Sequence, residues 1–170
     1  MRVRIFTLIF IALLISGALG LYCLVQAFPL RLTDGDKTEI MKMTLELALA
    51  PGVFAHIIDK EKMILSTENI DPNLVPKMPG VNLTLLDPDE IQERADREGD
   101  FLFLRFRQMQ INGWRVIVSL DFGWAIGKNS QARYLSGGGF TIRYYRDLFG
   151  IWVGEGISWW GDILFDRSES

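Results

Sequence analysis

The chain has 170 residues, 49% of them apolar, with 18 basic and 21 acidic side chains and a net charge of −3. Setting Arg2 and Arg4 aside leaves 16 basic groups against 21 acidic ones, which argues against nucleic acid as a partner, because phosphate contacts dominate that kind of affinity. The single cysteine, Cys23, forbids an intramolecular disulfide and leaves folding to the core.

No charged side chain occurs from Ile5 to Leu30. A helix over that stretch would run ~39 Å, more than the ~30 Å hydrocarbon core of a bilayer requires. Arg2 and Arg4 precede it and Asp34 and Asp36 follow it, a bias that keeps the amino terminus in the cytoplasm. The expected organisation is a single-pass signal-anchor over 1–30 in the inner (plasma) membrane, an extracytoplasmic domain over 31–165 and a polar tail over 166–170. The alternative is a cleaved signal peptide, with Ser16 to Gly20 as the small-residue site and a secreted or periplasmic product. The anchor is favoured because apolar character continues through Leu24, Val25 and Phe28. Ala12, Ser16 and Gly20 fall at steps of four, so on a helix they form a narrow strip for self-association or for a membrane protein partner.

The remaining chain predicts one α+β domain with a curved antiparallel sheet packed on one or two helices. Asp36 with Glu39 reads as a capping box that starts a helix over 37–50. "VFAHIID" and "MILST" flank Asp59 to Lys62 as a short hairpin, which puts His56 in an alternating strand. Residues 66–80 hold three prolines and read as a loop long enough to serve as an interface. "VNLTLL" then alternates as a strand ending at Asp87. "DPDEIQERADREG" predicts a helix over 88–98, with Asp87 as N-cap, Pro88 at the first position and Gly99 past the end. Glu90 with Arg94 and Glu93 with Arg97 stand at ion-pair spacing on it.

Asn112-Gly113 then matches a type I′ hairpin turn. That register sets Ile111 against Trp114, Met109 against Val116, Arg105 against Leu120 and Phe103 against Phe122, with this face toward the core. A second hairpin is expected from Phe140 to Tyr145 and back from Phe149 to Trp160. Gly137 to Gly139 read as a bulge or a close backbone approach at a sheet edge.

Chemical motifs are sparse. "GWAIGKNS" has three residues between its glycines where a phosphate loop needs four, and Asn129 stands where Ser or Thr belongs. His56 is the lone histidine and no G-x-S-x-G elbow occurs. The acidic cluster at 87–96 is accounted for by helix capping, and Asp121, Asp147 and Glu155 form no clear acid-base pair. The alternation in "FLFLRFR" and "FTIRYYR" reads as a sheet with one packed and one wetted face. No catalytic residue, metal site or cofactor is expected.

Helix 88–98 followed by two long hairpins, with "GGGFTIRYYRDLFGIWVGEG" and a final aromatic strand, resembles cystatin-like and nuclear-transport-factor-like domains. The resemblance covers about 87–160 and implies a curved sheet wrapped around a helix; it transfers no functional residue. Two functions remain in view. One is a membrane-tethered binding or assembly domain that uses Trp159, Trp160 and the 66–80 loop, with the lipid bilayer and a membrane protein as partners. The other is a small-ligand or hydrolase-like pocket lined by Phe103, Trp124, Tyr144 and Trp152, with Glu155 or Asp121 as its polar group.

Overall fold

The computed structural model describes residues 11, 13–17, 20, 31–131 and 137–161. In chain order they form α1 (Asp34–Ala48), β1 (Met63–Ser66), a 3-10 turn (Pro72–Leu74), β2 (Leu83–Leu86), α2 (Pro88–Glu98), β3 (Phe101–Asn112), β4 (Arg115–Ala125), β5 (Gly138–Arg146) and β6 (Trp152–Gly161). The fold is α+β, built on a six-stranded mixed sheet in the order β2-β1-β3-β4-β5-β6.

Helix α1 begins with a reciprocal capping box in which Thr33 is the N-cap and Asp36 the third residue. The expected start, with Asp36 as cap and Glu39 as its partner, therefore lies three residues too late. Ile40, Met41, Leu45 and Ala48 form the buried stripe of the helix. With Phe54 they close one face of the sheet, the front, against Leu104, Phe106, Val118, Leu120, Phe140, Tyr144 and Trp152. The helix runs opposite to β5: Asp36 meets Arg146 and Trp152, Thr44 Oγ1 lies 2.9 Å from the Tyr144 hydroxyl, and Phe54 packs on Phe140. The start of the domain thus sits at the end of the sheet that carries the two hairpin turns.

The hairpin expected over 53–67 does not form. Residues 51–57 are turns, and His56 is exposed among them. Strand β1 is buried along its whole length and pairs in parallel with β2 and β3. A strand covered on both faces shows a continuous apolar run rather than alternation, and parallel partners are reached only through a crossover. Residues 67–82 are that crossover: Ile70, Leu74, Val75 and Met78 pack on the front core, and Thr38 donates to the Leu74 carbonyl at 2.9 Å. The sheet is antiparallel only across β3 to β6.

In the β3–β4 hairpin Asn112 pairs with Arg115, so the turn residues are Gly113 and Trp114. Gly113 has φ 62° and no non-glycine residue has positive φ among the described residues, the sign pattern of a type II′ turn rather than I′. A bulge between Phe106 and Gln108 then shifts the parity of β3. Leu102, Leu104 and Phe106 consequently face the front core, which corrects the expected assignment of Phe103 and Arg105 to that face.

Helix α2 has the predicted boundaries and capping box, with Asp87 and Glu90 exchanging hydrogen bonds of 2.8 and 2.9 Å. The expected pairs Glu90–Arg94 and Glu93–Arg97 are replaced by Arg94 with Glu98 at 2.8 Å, in a geometry that also sets the Arg94 guanidinium 5.7 Å from the Phe101 ring. Ile91 and Ala95 pack on Ile64 and Ala125, covering one end of the other face of the sheet, the back.

Ile11, residues 13–17 and Gly20 are helical. Among the described residues no helix is long and apolar enough to cross a membrane. The rest of the expected anchor, Ala12 included, and the tail over 166–170 lie outside the described residues.

Candidate functional site

The back face beyond α2 is open, and Gly139 shapes its far end. Gly123 pairs with Phe103, whose ring lies over β4 in ordinary contact distance, 3.7 Å, of where a Cβ would stand. Gly139 pairs with Trp160; a Cβ there would come within 2.5 Å of the indole and 2.4 Å of the Leu120 carbonyl oxygen. A ring seated over a bare strand in this way fills the space that a glycine leaves on a sheet. The expected close approach at the glycine run is therefore real, but β5 lies between β4 and β6 rather than at a sheet edge.

Between the two rings Arg105, Asp121, Gly139 and Trp160 stand in one cross-strand row. Arg105 reaches Glu68 at 3.2 Å and Asp121 at 3.4 Å. Asp121 is 4% exposed, and its Oδ1 has no hydrogen-bond partner among the described residues. Burial pushes its carboxyl above the usual value, against the hydrogen bond from Arg105 and the charges of Arg105 and Arg107. The Arg107 guanidinium lies 5.4 Å from the Trp160 ring. The next row carries hydroxyls: Ser119 and Thr141 are 2.7 Å apart, and Gln108 donates to Ser119 at 3.3 Å.

The cleft between Phe103, Arg105, Asp121, Gly137, Gly138 and Trp160 encloses ≈ 220 Å³. It shares Phe103 and Arg105 with a second hollow of ≈ 310 Å³ that reaches Glu68, Ile91, Trp124 and Ile126. The two make one groove from the α2 flank to the last strand. Trp160 is 36% exposed along it, whereas Trp124, paired with front-facing Leu102, borders it at the end of β4.

The residues expected to line one pocket separate. Phe103, Trp124 and Asp121 line the groove, joined by Trp160 from the expected interface. Tyr144 and Trp152 are 1% and 3% exposed in the front core, where burial pushes the Tyr144 hydroxyl up to about 12. Glu155 is exposed and pairs with Arg115 at 3.1 Å. Trp159 turns to the front and packs on Phe54 and Phe140. Ser16 Oγ donates to the Leu13 carbonyl at 3.1 Å, and no described residue comes within 4 Å of the Gly20 Cβ position.

Two polar centres escaped the sequence reading. Asp36 is 6% exposed and accepts from the Thr33 amide and hydroxyl, the Trp152 indole at 3.0 Å and Arg146. Burial opposes its charge, yet these donors outweigh it and hold the carboxyl far below the ordinary range. The second is the loop after β4, where the Gly127 amide is bound by Asp100 and the Lys128 amide by Asp96, both at 2.8 Å. The first two amides of "GKNS" are thus taken by carboxylates of the same chain, the Ser130 amide donates to the Gly127 carbonyl at 2.9 Å, and a Cβ on Gly127 would stand 2.3 Å from the Ala95 carbonyl oxygen. Among the described residues no group of His, Cys, Asp and Glu forms a metal cluster. No family model, curated protein or solved structure matches the chain.

Proposed function

We propose that the chain is a membrane-tethered, extracytoplasmic binding domain that holds its partner in the back-face groove. The charge-free run from Ile5 to Leu30 supports the tether. One observation carries the binding: an open groove lined by Phe103, ending at the half-exposed Trp160 and floored by Arg105 and Asp121. Aromatic and arginine side chains around a desolvated centre are the composition of binding hot spots.

The test is affinity purification from the native host in mild detergent, with the wild-type chain and with Trp160→Ala. A partner enriched by the first and lost with the second supports the reading. A monomer with no enriched partner, or capture indifferent to Trp160, sinks it. Intact mass starting at Leu21 would replace the tether by a cleaved leader and leave the groove reading standing.

A second reading is a small polar ligand in the ≈ 220 Å³ cleft, favoured by the Oδ1 of buried Asp121, which has no hydrogen-bond partner among the described residues. Such a ligand would offer a hydrogen-bond donor to that oxygen and an apolar surface to Phe103 and Trp160.

A further inference from the structure

The β5–β6 turn ends in apolar side chains left open by the described residues, and the neighbouring β3–β4 turn carries a half-exposed tryptophan. Leu148 is 100% exposed and Phe149 87%, with Ile151 at 57% beside them and Trp114 at 49% on the neighbouring turn. The 147–151 turn is built rather than loose. Asp147 Oδ1 accepts from the Phe149 and Ile151 amides, each at 2.9 Å, and the Asp147 amide donates to the Ile151 carbonyl at 2.9 Å. This turn holds Leu148 and Phe149 outward, and the acid at its tip is occupied by backbone amides. Contiguous exposed apolar groups of this size mark an interaction surface.

The neighbouring turn supplies a different kind of side chain. The Trp114 ring stands edge-on to Tyr145 at 5.6 Å and carries the Arg115 guanidinium 4.4 Å from its centre. Tryptophan, tyrosine and arginine present an apolar body and a polar end, the composition of a membrane–water boundary.

A second, independent observation fixes the occupant. Asp36, in the first turn of α1, binds Arg146 and Trp152, the two residues that bracket the 147–151 turn. The chain therefore enters the domain beside these tips, and Arg31, three residues before α1, directly follows the charge-free run that ends at Leu30.

We propose that this end of the domain rests on the bilayer, with Leu148 and Phe149 inserted at the headgroup–acyl boundary as a second membrane contact beside the anchor. The inference rests on the tethered reading above. The groove, whose Trp160 and Gly137 lie at the opposite end of β5 and β6, is then held away from the lipid and open to a partner in solution. An apolar tip flanked by arginines and aromatics binds an interface through its buried apolar area, so zwitterionic lipid suffices.

The test uses the full chain with Cys23→Ser and a fluorophore on Leu148→Cys, in phosphatidylcholine vesicles holding a headgroup-proximal spin-labelled lipid. The expected result is blue-shifted emission and strong quenching at 148, with neither at Lys60→Cys, which precedes β1 at the far end of the sheet. In a chain labelled at Ile151→Cys, adding Leu148→Ser and Phe149→Ser is expected to cut the quenching at least fivefold. Water-like emission at 148 while the chain resists carbonate extraction would overturn the inference and leave the tether intact. If carbonate strips the chain, the tether fails, and quenching at 148 after addition to preformed vesicles still decides the tip: its presence upholds the contact and its absence overturns it.

Discussion

The front and back of the sheet share the same strands and are finished differently. The front is closed by a 15-residue helix and by Phe54, whose ring meets Phe122, Phe140 and Trp159 at 4.9, 5.5 and 6.1 Å. The back receives only Ile91 and Ala95 of α2 at one end, and then carries arginine, aspartate and hydroxyl rows under two aromatic rings. The front is therefore where the stability of the domain lies, and the back is a surface whose polar groups are incompletely paired. That contrast is what makes a groove on the back a reasonable binding site, since groups already satisfied have nothing to offer a partner.

The sharpest way to break the contrast is to truncate one ring on each face. Phe54→Ala removes a side chain that is 0% exposed and is expected to cost about 4 kcal/mol. Phe103→Ala, a half-buried ring on the back, is expected to cost less than half as much. Urea unfolding followed by circular dichroism checks both, and equal losses would mean that the back is as much a core as the front.

Asp36 ties α1 to the last hairpin, and Asp36→Ala removes the reciprocal half of the capping box and leaves the Trp152 indole N–H buried without its acceptor. The expected loss is about 3 kcal/mol. Its carboxyl is held below the ordinary value of 3.8 in the fold, so its contribution is complete above that value and fades as the pH falls below it. Wild type should therefore lose more stability than Asp36→Asn on going from about pH 5 to about pH 3. Parallel pH profiles would show that Asp36 is not the charged anchor described.

Gly139→Ala tests the back alone. The new Cβ would stand 2.4 Å from a backbone oxygen and 2.5 Å from the Trp160 ring, and overpacking of this kind costs about 2 kcal/mol. The expected signature is a loss of partner binding greater than Thr141→Ala produces, since Trp160 must leave its seat. Unchanged melting and binding would mean that the ring does not rest on Gly139.

How far the sequence announced this molecule depended on whether a signal was local. Helix α2 was legible in full because Asp87, Pro88, Glu90 and Gly99 are punctuation within a dozen residues. The two long hairpins were also legible, but not their facing residues: Gly113 with φ 62° starts the turn one residue later than Asn112 implied, and the bulge at Arg107 reverses the face of everything before it. Strand β1 was misread because its partners arrive through a crossover and a helix, and four buried residues carry no alternation. Thr33 with Asp36 spelled out the start of α1, yet Asp36 with Glu39 offered the same spacing and sequence alone had no means to choose. The groove could not be seen at all, because Arg105, Asp121, Gly139 and Trp160 come from four strands and meet only through register. Phe103, Trp124 and Asp121 were named for a pocket on chemical type, and the partner they share, Trp160, was named for a different surface.

The smallest expected effect is the one that separates the two faces most cleanly. Asp121 and Asp36 are both buried carboxyls, but Asp121 has its pKa raised by burial that Arg105 and Arg107 do not offset. A raised carboxyl binds its proton more readily folded than unfolded, so its burial opposes folding above the raised value, and that cost disappears as the pH falls toward the ordinary 3.8. Because Arg105 is partly exposed and keeps Glu68, Asp121→Asn at neutral pH should change stability by less than about 1 kcal/mol. Relative to Asp121→Asn, wild type should gain stability on mild acidification, whereas relative to Asp36→Asn it should lose stability in stronger acid. Thermal melts of the three proteins across that range give two slopes of opposite sign. Slopes of the same sign would mean that Asp121 is paired and charged in the fold, and the back face would then hold no unpaired buried oxygen for a ligand to meet.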